Sequence, residues 1–263
     1  MNHHNLPGAV ALVSGTTIGA VTLVLPIILN DLGLVYSSGL FLFIWVMMWA
    51  AALLTLEVSL SLPKNTSFVS MSYHTLGRLG EWITWLCFLS LLYSLLTFYF
   101  SGLSGVFNGI ALIKDTHSLD LILVSWLLLV AFALKYGAIW IDYINRYIIL
   151  GLLISFVVLV MIVSPHIQMD INWSMPPVNR TLSALGVIMT AFGYQVVIPS
   201  MRDYLDGDQK SCKQAILWGS IGPLIIYIVW TLMFMGVANH FNVISSDVSP
   251  IESLHAVFSK LSF

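Results

Sequence analysis

Two long apolar stretches, more than 170 residues apart, carry the same interruption. The first reads Ser14-Gly15-Thr16-Thr17-Ile18-Gly19, with Pro26 seven residues beyond Gly19; the second reads Phe192-Gly193-Tyr194-Gln195, with Pro199 six residues beyond Gly193. Each falls near the middle of a stretch long enough to cross a bilayer. Lipid offers no partner for a freed backbone amide or carbonyl, so a break at that depth is stable only where it is buried in protein or lines a cavity. Blander readings stand beside this one. Gly15 and Gly19 spell GxxxG, which lets helix backbones approach closely, and a proline late in a membrane helix is often only a kink. Recurrence of the whole pattern argues for an internal repeat. Paired broken helices are also the sequence mark of a binding site between two half-helices.

Composition fixes the solvent. Charged residues make up 8% of the 263 positions, against about 25% in a soluble domain. The chain reads as an all-α integral membrane helical bundle. A net charge of -2 with ten scattered basic residues leaves no electrostatic footprint for nucleic acid. Cys87 and Cys212 sit in no CxxC or metal-ligand spacing, and His3 and His4 have no partners nearby. No metal or cofactor is expected.

Crossing about 30 Å of hydrocarbon takes about 20 apolar residues, and seven stretches qualify: Pro7–Leu29, Ser38–Leu60, Trp82–Ile113, Leu119–Leu134, Tyr147–Val163, Leu182–Met201 and Ala215–Ala238. Met1 to Leu6 carries no basic residue and the first apolar run is long, so the first span is expected to be a retained helix rather than a signal peptide. Lys64, Arg78, Lys135, Arg146, Arg202, Lys210 and Lys213 fall on one side and Lys114, Arg180 and Lys260 on the other. The positive-inside rule then predicts a cytoplasmic N-terminus. Residues 239–263 would form an external tail, with apolar positions 251, 254, 257, 258 and 261 on one helical stripe.

The motifs resemble the aromatic amino acid permeases, the tyrosine- and tryptophan-specific transporters of bacteria. The resemblance rests on Gly15 to Ala20 with Leu25-Pro26, on Glu57-Val58, on Thr75-Leu76-Gly77, and on Phe192 to Gln195 with Ile198-Pro199-Ser200. It implies an inverted-repeat fold of the leucine-transporter kind, present here incompletely, with a permease domain over residues 1–238. A first repeat would occupy about 7–165 and the start of a second about 181–238. It further implies proton symport of an aromatic amino acid across the inner membrane by alternating access, in which spans one, two, six and seven move against a scaffold. Ser14, Gly15, Thr16, Thr17, Ile18 and Gly19 would contact substrate through backbone groups, and Phe192, Gly193, Tyr194 and Gln195 would face it. The hydroxyls of Ser14, Thr16 and Thr17 could satisfy amides released by the first break. Where the family tends to continue Gly-Ala-Gly-Met, this chain has Gly19-Ala20-Val21-Thr22, and valine tolerates unusual dihedrals poorly.

Family members run on through further spans, including one that lies against the first. The expected partners are therefore substrate, proton, membrane lipid and, for a working site, a second chain supplying the missing helices; the rival expectation is a split-gene remnant without activity. Glu57 is a proton-coupling candidate because an ionisable group in a membrane is functional by default, yet it lies near the interface, where solvation serves equally well. Tyr93, Tyr99 and Phe100 on the third span either stack on an aromatic ring or pack. Gly102, Gly105 and Gly109 read as packing positions, and Asp203, Asp206 and Asp208 as a solvated turn. An intramembrane protease finds no support, because paired membrane acids, a Ser with a His partner and HExxH are all missing, and no enzyme is expected. A retinal protein would need a lysine in Ala215–Ala238, which has none.

Overall fold

The computed structural model describes residues 6–19, 21–30, 32–109, 124–125, 127–128, 138–167 and 177–241. Among these no strand occurs. In chain order the helices are α1 (Leu6–Thr17), α2 (Val21–Asn30), α3 (Leu34–Ser61), α4 (Phe68–Gly109), α5 (Ala138–Val163), α6 (Val178–Ala191), α7 (Ile198–Tyr204) and α8 (Gln209–Phe241), with 3-10 turns at Ser164–His166 and Tyr194–Val197. Among the described residues, four stretches are long and apolar enough to cross a membrane: Leu34–Ser61, Phe68–Thr97, Val178–Tyr204 and Gln209–Val237. Leu6–Thr17 and Tyr147–Val163 are shorter apolar helices. Most of the expected fourth span and all of the expected tail helix lie outside the described residues.

One apolar core unites α1, α2, α3, α6, α7 and α8. It includes Val13, Leu25, Phe41, Leu56, Ile188, Phe192, Ile198, Ile216 and Tyr227. These elements are the expected spans one, two, six and seven, so the four share a single interior. A second, smaller cluster joins Val163 of α5 to Trp230, Met233, Phe234 and Val237 of α8. By contrast α4 turns Trp82, Ile83, Trp85, Leu86 and Tyr93 outward, as a helix does when its neighbours are lipid or further protein.

Two prolines inside helices shape the bundle through the hydrogen bonds they cannot make. Pro26 inside α2 has no N–H, which leaves the Thr22 carbonyl without its helical donor; the Trp230 indole N–H donates to it at 2.9 Å. Pro223 inside α8 likewise frees the Gly219 carbonyl, and Ser14 Oγ donates to it at 3.0 Å. Pro199 sits in the first turn of α7, where no partner is needed. Gly219 also lets α1 close on α8, because a Cβ there would stand 2.6 Å from Val13 Cβ and 3.1 Å from the Val10 carbonyl.

A helix from Phe68 precedes the expected third span and meets it at Gly77, where the backbone leaves helical geometry. Helix α4 starts at Phe68 and bends at Gly77, whose φ of 72° and ψ of -164° suit only glycine. Thr84 Oγ1 donates to Ser72 Oγ at 2.7 Å across this bend. Thr75-Leu76-Gly77 thus ends the first of two helices that meet at this non-helical glycine.

Candidate site at the two helix breaks

Both interrupted segments leave helical geometry. Helix α1 stops at Thr17 and the chain bends through Ile18 and Gly19 before α2. The other break is tighter: α6 stops at Ala191, Phe192 and Gly193 are non-helical, and a 3-10 turn leads into α7. Gly193 itself has an ordinary φ of -76°. Its constraint is space, since a Cβ would stand 3.1 Å from the Thr190 carbonyl.

A residue on a third element brings the breaks together. The Tyr227 hydroxyl, from α8, donates to the Thr17 carbonyl at 2.6 Å and lies 3.3 Å from the Ala191 carbonyl. Those two oxygens close the C-terminal ends of α1 and α6, where the helix dipole concentrates partial negative charge. They lie no further apart than the two distances together. The Tyr227 ring is held between Phe41, stacked at 6.1 Å, and Phe192, edge-on at 5.3 Å. Sequence reading missed Tyr227, because one tyrosine in an apolar helix carries no pattern.

The named candidates divide by what they touch. Phe192 and Tyr194 are wholly buried, and the Tyr194 hydroxyl faces Ser220 without meeting hydrogen-bond geometry. Gln195 is turned toward α3, its Nε2 donating to the Met48 carbonyl at 3.2 Å. Gly15, Ile18 and Gly19 are half-buried. The hydroxyls do not do what the sequence suggested. Thr16 and Thr17 donate to the Leu12 and Val13 carbonyls, each at 2.7 Å, and Ser14 serves Gly219, so all three protons go to carbonyls. The reason is local: inside a helix the i-4 carbonyl is the nearest acceptor, and Pro223 supplies a stronger one opposite Ser14.

From α4, Tyr99 reaches the first break, where a Cβ on Gly19 would stand 2.5 Å from its hydroxyl oxygen. The Thr22 hydroxyl, in the first turn of α2, is buried and faces the Tyr227 hydroxyl without meeting hydrogen-bond geometry. Tyr93 points outward. Glu57 lies on the exposed face of α3, away from both breaks. A cavity of about 350 Å³ opens between α3 and the bend of α4, lined by Leu54, Val58, Phe68, Met71, Thr75 and Thr84 among others. It is separate from the breaks, which involve none of these residues.

At one end of the bundle Arg202 is buried rather than solvated. Its terminal nitrogens donate to the Leu62 carbonyl at 2.9 Å, the Pro63 carbonyl at 3.1 Å and Asp203 Oδ1 at 2.9 Å. Asp203 in turn accepts from the Asn65 amide at 3.0 Å. Arg202 and Asp203 thus form a clasp between the loop after α3 and the end of α7, while Asp206 is exposed as a solvated turn requires. Asp208 does stay exposed, and caps α8 by accepting from the Ser211 amide and hydroxyl. Those bonds, the hydroxyl first, hold its carboxyl below the usual range. No group of metal-ligating side chains occurs among the described residues.

Comparison with known proteins bears on what such a pair of breaks serves. The chain is 29% identical over 231 residues to a tyrosine-specific transport system of Haemophilus influenzae, covering 87% of this chain and 57% of that protein. A tryptophan-specific transport protein of Pseudomonas aeruginosa is 26% identical, with 88% and 57% covered. A glutamine transporter of Aliivibrio fischeri is 27% identical, with 97% and 70% covered. The chain thus spans somewhat over half the length of the tyrosine and tryptophan relatives. No solved structure matches it. The model of the tryptophan/tyrosine permease family matches residues 2–262, nearly every position from the first break through the second and beyond, and the chain belongs to that family.

Proposed function

We propose that this chain forms the substrate-binding bundle of a secondary carrier for aromatic amino acids, tyrosine or tryptophan, driven by proton symport across the inner membrane. The observation that carries the reading is the meeting of two helix breaks at one hydroxyl, in a member of a permease family. An amino acid zwitterion has an ammonium and a carboxylate close together. The carbonyl ends of α1 and α6 suit the first, and the positive N-terminal end of α2 suits the second. Substrate would contact the backbone from Ser14 to Gly19 and from Phe192 to Gln195, with the Tyr99 ring available to stack on an aromatic side chain. Movement would carry the spans that share the core, one, two, six and seven, against the rest in alternating access. An inverted repeat of the leucine-transporter kind, 7–165 and 181–238, agrees with the matching breaks.

Uptake of labelled tyrosine, tryptophan and glutamine by membrane vesicles carrying the chain tests the proposal. Uptake of an aromatic substrate that collapses when the proton gradient is dissipated is the expected result. In Gly193→Leu, uptake should fall about tenfold or more, because a side chain there must displace the Thr190 carbonyl. Equal uptake by both proteins sinks the site. Preference for glutamine, the substrate in the name of one relative, sinks the aromatic assignment. No uptake by either favours the other reading, a stretch without transport activity of its own that needs a second chain for the remaining helices.

A further inference from the structure

We propose that Tyr227 is a positioning residue whose single hydroxyl proton ties the two helix breaks to each other. The inference rests on the carrier reading for its purpose, though its geometry stands alone. A carbonyl at a helix end inside a membrane must find a donor, and among the described residues no backbone amide donates to Thr17 or Ala191. Both turn toward the same oxygen of Tyr227, at 2.6 and 3.3 Å. A phenol has one proton to give. The shorter contact is a strong bond and the longer lies at the weak edge of the range, so the proton serves Thr17 in this conformation and Ala191 holds a minor share.

Such an arrangement differs from an ordinary buried hydrogen bond. If one half-helix shifts against the other by about an ångström, the O–H of Tyr227 can re-aim from one carbonyl to the other and end in a bond of the same kind. The ring cannot swing away to avoid this choice. Phe41 and Phe192 hold it from two sides, and Tyr227 is wholly buried. Phe192 belongs to the second break itself, so its movement is transmitted to the ring directly. The tie therefore reports the relative position of the breaks while keeping both carbonyls served.

Amide hydrogen exchange on the full chain in lipid nanodiscs tests the tie without requiring transport. In Tyr227→Phe, which keeps the ring, exchange should rise about tenfold in peptides spanning 14–22 and 188–198. Peptides from the clasp, 60–66 and 202–208, should stay unchanged. Phe41→Leu loosens one side of the ring but keeps the hydroxyl, and should raise exchange at both breaks by clearly less than Tyr227→Phe does. Faster exchange at one break only, everywhere, or nowhere overturns the proposal. So does failure of Tyr227→Phe to insert where Phe41→Leu inserts normally, since the hydroxyl would then be a global support. In vesicles that transport, Tyr227→Phe should lower Vmax with KM held, and an unchanged Vmax removes Tyr227 from the cycle. Absence of uptake by the unmodified chain defeats the carrier reading and leaves the exchange result to decide the tie.

Discussion

Arg202 donates through both terminal nitrogens to two backbone carbonyls and a neighbouring carboxylate while almost fully buried. A guanidinium can serve such a divergent set because its donors are fixed in a plane, whereas an ammonium acts as a point charge on a flexible stem. Arg202→Lys should therefore lower stability by about 2 kcal/mol, measured as a thermal shift in detergent. Lys64→Ala should cost under about 1 kcal/mol, because its ion pair with Asp206 is largely in water. Asp208 gives a pH signature at the same end. Its carboxyl is held low by Ser211, so its contribution is complete above the ordinary aspartate pKa and fades as pH falls through the lower folded value. Exchange at the first turn of α8 should quicken over that acidic window. Ser211→Ala should move the onset to higher pH, and an unmoved onset would assign the protection to something else. None of these roles was legible in the sequence. Beyond its neighbour Asp203, Arg202 finds its partners about 140 positions away, and those two are carbonyls, which every residue has.

At the level of the element, the sequence did announce its breaks, because glycine, hydroxyl residues and proline cluster there against an apolar background. What it could not announce is who meets the carbonyls that proline orphans. Ser14 was legible as a polar residue near a break, but its acceptor depends on α8 passing alongside with Pro223 one turn beyond Gly219. The pairing makes a specific prediction. Ser14→Ala should cost about 1 kcal/mol while Pro223 is present, and close to nothing in Pro223→Ala, where the restored N–H can bond Gly219 within the helix. A double-mutant cycle reads the coupling as non-additivity of the two changes. Additive costs would show that the Ser14 bond is not a substitute for the missing helical one. Glycines sort by the same local logic. Gly77→Ala should destabilise by about 1–3 kcal/mol because its backbone angles suit only glycine. Gly39→Ala on the exposed face of α3, with nothing within 4 Å of the new carbon, should stabilise by about 0.5–1 kcal/mol. Thermal unfolding of the two variants in the same detergent compares them directly.

Over the whole molecule, the apolar pattern located spans but not their grouping, since a span that meets lipid and one that meets protein read alike. The structure separates them: four expected spans share one core, while α4 leaves much of its aromatic and aliphatic surface uncovered. The clasp bears on orientation too. Counting basic residues assigns the loop after α3 and the loop after α7 to the cytoplasmic side independently of each other. In the fold the two loops touch, through Arg202 on Leu62 and Pro63 and through Lys64 Nζ at 3.2 Å from Asp206 Oδ1. They must therefore lie on one side, whichever side it is. With Cys87 and Cys212 replaced by serine, Lys64→Cys and Asp206→Cys should each react with a membrane-impermeant maleimide in inverted vesicles and stay unlabelled in intact cells. Labelling of both in intact cells alone would reverse the orientation and keep the fold. Labelling from opposite sides would break the clasp, and with it the packing that brings α3, α7 and the second helix break into one bundle.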